Sequence, residues 1–188
     1  LIRINPLWFV RYKFANSIFL GLSLGALFTI YAPLEPSTFS IGGVALAAGM
    51  LIVARLYRYI LNAKWFFRIS LCVELLLLLA VGYFLIFPYG YQTALILYIA
   101  YQLSFVFGSY LVRTETLLLD TDELLMRLDT AKQIGYLAGM AVGYLFYKSI
   151  EQYGITANQD QIYALHYLLL AIEVIIIILL LKSFQNRV

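Results

Sequence analysis

The chain is poor in the residues that carry most enzyme chemistry. Its 188 residues hold one cysteine, Cys72, and one histidine, His166. A single thiol cannot close an internal disulfide, and one His beside one Cys cannot furnish a usual zinc or haem site. No HExxH or GxSxG occurs, and His166 has no evident Ser or Lys partner for intramembrane proteolysis. The sequence therefore reads as a non-enzyme, with no cofactor and no metal. Charge is scarce as well: Asp, Glu, Lys and Arg make up 12% of the chain, with a net charge of +3. No linker, low-complexity tract or polar domain interrupts it, so residues 1–188 form one expected domain.

Apolar sequence fills the space left. Long apolar segments fall near 15–31, 41–53, 69–87, 91–112, 134–147 and 163–181. A membrane span needs about 20 mostly apolar residues; the second and fifth segments are short and are expected to extend into their flanks. The reading is an all-α membrane protein of six transmembrane helices. Arg3, Arg11 and Lys13 precede the first span; Arg55, Arg58, Lys64 and Arg68 lie between the second and third; Arg113, Arg127 and Lys132 between the fourth and fifth; Lys182 and Arg187 follow the sixth. Only Lys148 falls on the other side. This bias places both termini in the cytoplasm by the positive-inside rule. It also accounts for the net charge, so no nucleic-acid partner is implied. The basic start followed by an apolar stretch reads as a retained first helix. The expected location is the plasma membrane (in a bacterium, the inner membrane), with the lipid bilayer as the first partner.

The outer connections, 33–40, 88–90 and 149–161, are short, so function is expected among the helices or on the inner face. Of the inner connections, 54–68 (ARLYRYILNAKWFFR) alternates basic and aromatic residues, which suits the headgroup layer. The other, 114–133 (TETLLLDTDELLMRLDTAKQ), is acidic with an apolar face through Leu118, Leu119, Leu125 and Leu128. It is expected as a helix lying against the membrane, with Asp120, Asp122 and Glu123 complementing its positive end rather than holding a metal.

Polar residues inside spans are costly and mark pathways or structural contacts. Along the fourth span Tyr98, Gln102, Ser109, Arg113, Thr116 and Asp120 share one helical face. Two readings stand: a cavity lining, or interhelical hydrogen bonds with Arg113 reaching the inner surface. Asn16 and Ser23 share a face of the first span. Glu173 lies mid-way along the sixth span, with His166 two turns above it. The pair suits a proton path; a neutral Glu173 bonded to a neighbouring helix is the alternative. Glu74, in the third span, is expected to pair with Arg68 or Ser70, and Glu115, on a different face from Arg113 near Ser104 and Gly108, with a basic residue of another helix at the inner surface. Glu173, His166 and Glu74 are the candidate protonation sites. Gly135, Gly139 and Gly143, four residues apart in the fifth span, let another helix approach closely. Cys72 reads as a small packing residue.

These features resemble one half of a major facilitator superfamily transporter. Six spans, cytoplasmic ends, the basic RLYRYILNAKWFFR after span two and the glycine-rich GYLAGMAVGY of span five carry the resemblance. The family's G-x-x-x-D-R-x-G-R-R connection is present only in its basic character. The resemblance implies a bundle whose first and fourth helices line a cavity, here through Asn16, Ser23, Tyr98, Gln102, Ser109 and Arg113. It further implies that two six-helix halves enclose the substrate, so that a parallel homodimer of this chain moves a small solute by alternating access. The competing expectation is a non-transporting membrane scaffold or assembly subunit of a larger complex, whose glycine face at Gly139 meets a different protein.

Overall fold

A computed structural model describes residues 2–119 and 121–186. Asp120 and Arg187 lie outside the described residues. The chain runs as β1 (Ile2–Ile4), α1 (Pro6–Ile30), α2 (Pro36–Arg55), α3 (Tyr57–Ile60), α4 (Ala63–Ile86), α5 (Tyr91–Val106), α6 (Gly108–Leu118), α7 (Asp122–Gln152), α8 (Asn158–Ser183) and β2 (Phe184–Asn186). Five helical stretches are long and apolar enough to cross a membrane: α1, α2, α4, α5 with α6 taken together, and α8. The protein is thus a multi-pass membrane protein.

Local chemistry sets the helix starts. The Asn5 side chain accepts from the Trp8 amide and Pro6 occupies the first turn of α1, where its missing N–H costs nothing. Asn62 caps α4 through the Trp65 amide at 3.1 Å. Thr121 caps α7, and Asp122 and Glu123 in its first turn complement the helix dipole.

Two expectations about helix limits change. The acidic stretch 114–133 is not a separate surface helix: its first residues finish α6, and from Asp122 onward it is the start of α7. No breaker follows the Thr121 cap, so the helix runs unbroken for 31 residues, about 46 Å at 1.5 Å per residue. The fourth apolar stretch, conversely, breaks at Phe107. Ser104 turns its hydroxyl back onto the Ala100 carbonyl at 3.0 Å, a bond that bends helices, and Gly108 follows the break.

α1 lies at the centre, packed along α7 and α8; α4 packs on α8 and α5, and α2 on α5. The core on α1 is made by Phe9, Tyr12, Phe19 and Leu22, with Phe66 and Phe84 from α4 and Leu165, Leu169, Ile176 and Leu180 from α8. The chain ends meet: β1 and β2 pair antiparallel, Ile4 opposite Phe184, and the Asn5 amide donates to the Ser183 carbonyl at 2.8 Å. Phe184 fills the space among Phe9, Phe66 and Phe67. α2 is peripheral, with only Val53 buried. Cys72 is exposed on α4 rather than packed.

The three α7 glycines meet α1 and not another protein. A Cβ on Gly139 would strike the Ile18 carbonyl oxygen and come within 3.1 Å of the Gly21 Cα; one on Gly135 would lie 2.5 Å from the Phe14 carbonyl oxygen. Gly143 faces Leu22 with ordinary clearance. Gly21 answers from α1, its own missing Cβ facing the Tyr136 backbone. The glycine face expected to contact a foreign chain is therefore already covered.

Candidate functional site: a charged groove between three helices

α1, α6 and α7 enclose an open groove of about 530 Å³, within the range of small-molecule sites. Its floor is a charged triad. Glu115 of α6 forms ion pairs with Lys13 of α1 and with Lys132 of α7, the latter at 2.6 Å. The side chains are 10% exposed for Lys13, 3% for Glu115 and 25% for Lys132, so Lys132 is the member open to the groove. Lys132 also reaches Asp129, 3.4 Å away and 72% exposed. Lys13 lies over the faces of Tyr12 and Phe9, 5.2 and 5.7 Å from their centroids, a contact that suits a desolvated ammonium. Asn16, Ser17, Gln133 and Tyr136 add polar groups to the groove; Leu20, Leu111 and Val112 add apolar wall.

Behind the groove the polar network continues inward. Tyr12 donates to Glu74 at 2.5 Å, and the Asn16 amide reaches both Glu74 oxygens at 3.1 and 3.3 Å. The expected partner Arg68 is elsewhere, stacked 5.4 Å from the Trp65 ring, and the Ser70 hydroxyl is buried without a hydrogen bond. Glu74 points into the bundle because Ser70 and Glu74, four apart, share the face of α4 that packs on α1 and α8. Glu173 of α8 is fully buried and adjoins Glu74. Neither of its oxygens has a hydrogen-bond partner among the described residues.

His166 stands apart from this network. Its Nδ1 bonds to the Ile162 carbonyl one turn earlier, at 2.7 Å, and its ring lies against Phe84 with centroids 4.0 Å apart. It packs as an aromatic ring, and the neighbour of Glu173 is Glu74 instead.

The polar line of the fourth span divides at the Phe107 break. Tyr98 is buried on α5 beneath α2, over Gly42, and donates to the Phe39 carbonyl at 3.3 Å. Gln102 is half-buried, its Oε1 without a partner. Ser109 and Arg113 line a second open groove of about 690 Å³ with Thr116 and Tyr57, Arg113 lying 5.7 Å from the Tyr57 centroid. The two grooves flank α6 and share Gly108 and Val112. Ser23 is buried and bonds to its own helix at the Leu20 carbonyl. Of the six expected lining residues, Asn16 opens on the first groove and Ser109 and Arg113 on the second. Tyr98 and Ser23 are packing residues.

Lys13 and Lys132 were visible in the sequence only as inner-side charges. The spacing of Lys13, Asn16 and Ser17 on α1 carries a signal, since residues three and four apart share a face. No family model, curated protein or solved structure matches this chain.

Proposed function

We propose that the chain is a six-span bundle resembling one half of a major facilitator superfamily transporter, and that two parallel copies carry a small solute by alternating access. The observation that carries this reading is the pattern of helix contacts. With the spans numbered α1, α2, α4, α5–α6, α7 and α8, the principal contacts are first with fifth, first with sixth, third with sixth, third with fourth, and second with fourth. Exchanging first with fourth, second with fifth and third with sixth leaves that set unchanged. Two three-helix repeats related in this way have opposite topology, because each crosses the membrane an odd number of times; such inverted repeats underlie transporter halves. The glycines follow the same exchange. The second span turns Gly42 and Gly49 toward the fourth, and the fifth turns Gly135 and Gly139 toward the first.

Counting α7 as a span is supported by parity. Its glycines and tyrosines make it less apolar than the other five, but the paired β1 and β2 hold the chain ends together, which requires an even number of crossings. The bias of the basic residues supports both ends lying inside.

In this arrangement the groove beside α1 and α6 is half a cavity. A two-fold axis along the membrane normal brings the same groove of a second copy opposite. Glu74 and Glu173, two adjoining carboxyls buried between α4 and α8, are the candidate place for a coupling proton. A scaffold role has less support, because the glycine face it would offer a partner is occupied by α1.

The test needs no substrate. In a Cys72→Ala background, Leu20→Cys, on the groove wall, is exposed to a membrane-impermeant maleimide on either side of oriented proteoliposomes. Alternating access expects labelling from both sides. Labelling from one side only contradicts it.

A further inference from the structure

We propose that the groove between α1, α6 and α7 binds an anion, a carboxylate carrying a short apolar body. This rests on reading that groove as the solute cavity and specifies what it takes. The charge count carries it. Two lysines, Lys13 and Lys132, meet at the floor, and one buried carboxylate, Glu115, stands between them. Asp129 touches Lys132 from the rim at 3.4 Å, but it is 72% exposed, does not line the groove and forms only a surface pair. Glu74 lies behind Asn16, is already engaged by Tyr12 and Asn16, and does not line the groove. Among the residues that line the groove, positive charge therefore exceeds negative by one, in surroundings where charge is expensive.

A bound anion removes that cost. Lys132 is the open donor, being 25% exposed and facing the groove, and an ammonium retains capacity for a further acceptor beyond Glu115. Gln133 and Tyr136 stand beside it as neutral polar groups, while Leu20 and Val112 form apolar wall on the other side. A carboxylate seated on Lys132 would have its body against that wall. A cationic solute would meet the lysines directly, and a neutral one would leave the surplus charge in place.

The test uses charged thiol reagents and a named probe. In Cys72→Ala protein in lipid nanodiscs, Gln133→Cys places a thiol on the groove and Ser149→Cys places one on the exposed end of α7 as reference. The rates of modification by anionic sulfonatoethyl and cationic trimethylammonioethyl methanethiosulfonate are compared at both positions. A positive groove raises the anionic-to-cationic rate ratio at Gln133→Cys over the reference by roughly tenfold or more, as focused fields do in clefts. Adding Lys132→Gln collapses the difference. Benzoate slows the modification and benzamide, its neutral counterpart, does not. A ratio at or below the reference, or equal protection by benzamide, overturns the proposal. Should Gln133→Cys fail to fold, Ser17→Cys reads the same groove. Protection by benzoate with no benzoate uptake into proteoliposomes would leave the anion site standing and remove the transport reading instead.

Discussion

α1 meets α7, and α2 meets α5, by the same device: glycines on one helix received by the other. The surroundings of the two contacts differ. At the α1–α7 seam an added Cβ would strike backbone, the carbonyls of Ile18 and Phe14, and the Lys13–Glu115–Lys132 triad ties the seam to α6. At the α2–α5 contact a Cβ on Gly42 would meet the hydroxyl end of Tyr98, and one on Gly49 the methyls of Val106. These are side-chain ends that can move. One hydrogen bond, Tyr98 to the Phe39 carbonyl, and edge-on aromatic packing with Tyr31 and Phe39 are what hold α2 there. The two contacts are equivalent under the repeat exchange, yet one is locked and the other pliant. The proposed alternating access would use both, since closure concentrates change in a few yielding contacts while packed ones move as a body.

The largest effect is expected at the lock. Glu115→Gln leaves two lysines facing each other without their carboxylate and should cost roughly 3–5 kcal/mol, as removal of one partner of a buried ion pair does. Unfolding in mixed micelles measures it. Lys132→Gln keeps the Lys13–Glu115 pair and should cost clearly less. Next come the glycines. Gly139→Leu drives a side chain into the α1 backbone and should cost about 1–3 kcal/mol or more. Gly42→Ala asks the buried Tyr98 ring, rather than backbone, to give way and should cost less, about 1 kcal/mol. Equal costs at the two glycines would erase the distinction between seam and contact.

Much of this bundle was legible before any coordinates. Hydropathy found the five helices long and apolar enough to cross a membrane because each is a separate local run, and the spacing of Gly135, Gly139 and Gly143 marked a close approach because a helix repeats every 3.6 residues. The partner of that face was not legible. Nothing in the glycines says whether a neighbour from the same chain or another fills them, and Gly21 on α1 answers only in three dimensions. The triad was legible only in part: Glu115 read as the partner of a basic residue on another helix, but which residues answer it was hidden, because Lys13 and Lys132 are far apart in sequence and each read alone as an inner-side charge. The polar line of the fourth span misled at a specific place. Assigning one face from Tyr98 to Arg113 assumes an unbroken helix, and the Phe107 break with α2 lying over Tyr98 cancels that assumption. Glu173 was legible as an anomaly, but its neighbour Glu74 lies on a helix the sixth span reaches only after folding.

A smaller effect probes the network behind the lock. Beyond the adjoining Glu74, Glu173 has no hydrogen-bond partner among the described residues, so Glu173→Leu removes a burdensome buried polar group. Stability should be unchanged or higher by about 1–3 kcal/mol, while any proton-dependent transport is lost. Lower stability would mean that the carboxyl has a structural partner. The smallest effect lies at the C-terminal end of α7, away from both contacts. There the hydrogen bond from Lys148 holds the Glu151 carboxyl below its ordinary range. A lowered folded value means that the pair's stabilisation is present above the ordinary carboxylate value of about 4.3 and fades as pH falls through the folded one. Glu151→Gln should abolish that slight acid sensitivity in a pH series of thermal unfolding, lowering stability slightly at neutral pH and changing nothing at low pH.

The central claim, that two copies of this six-span half make one working unit, is tested most directly by native mass spectrometry of the chain released from lipid. A dominant dimer that survives lipid removal is the expected result. A monomer, or the chain released in complex with unrelated proteins, would contradict it.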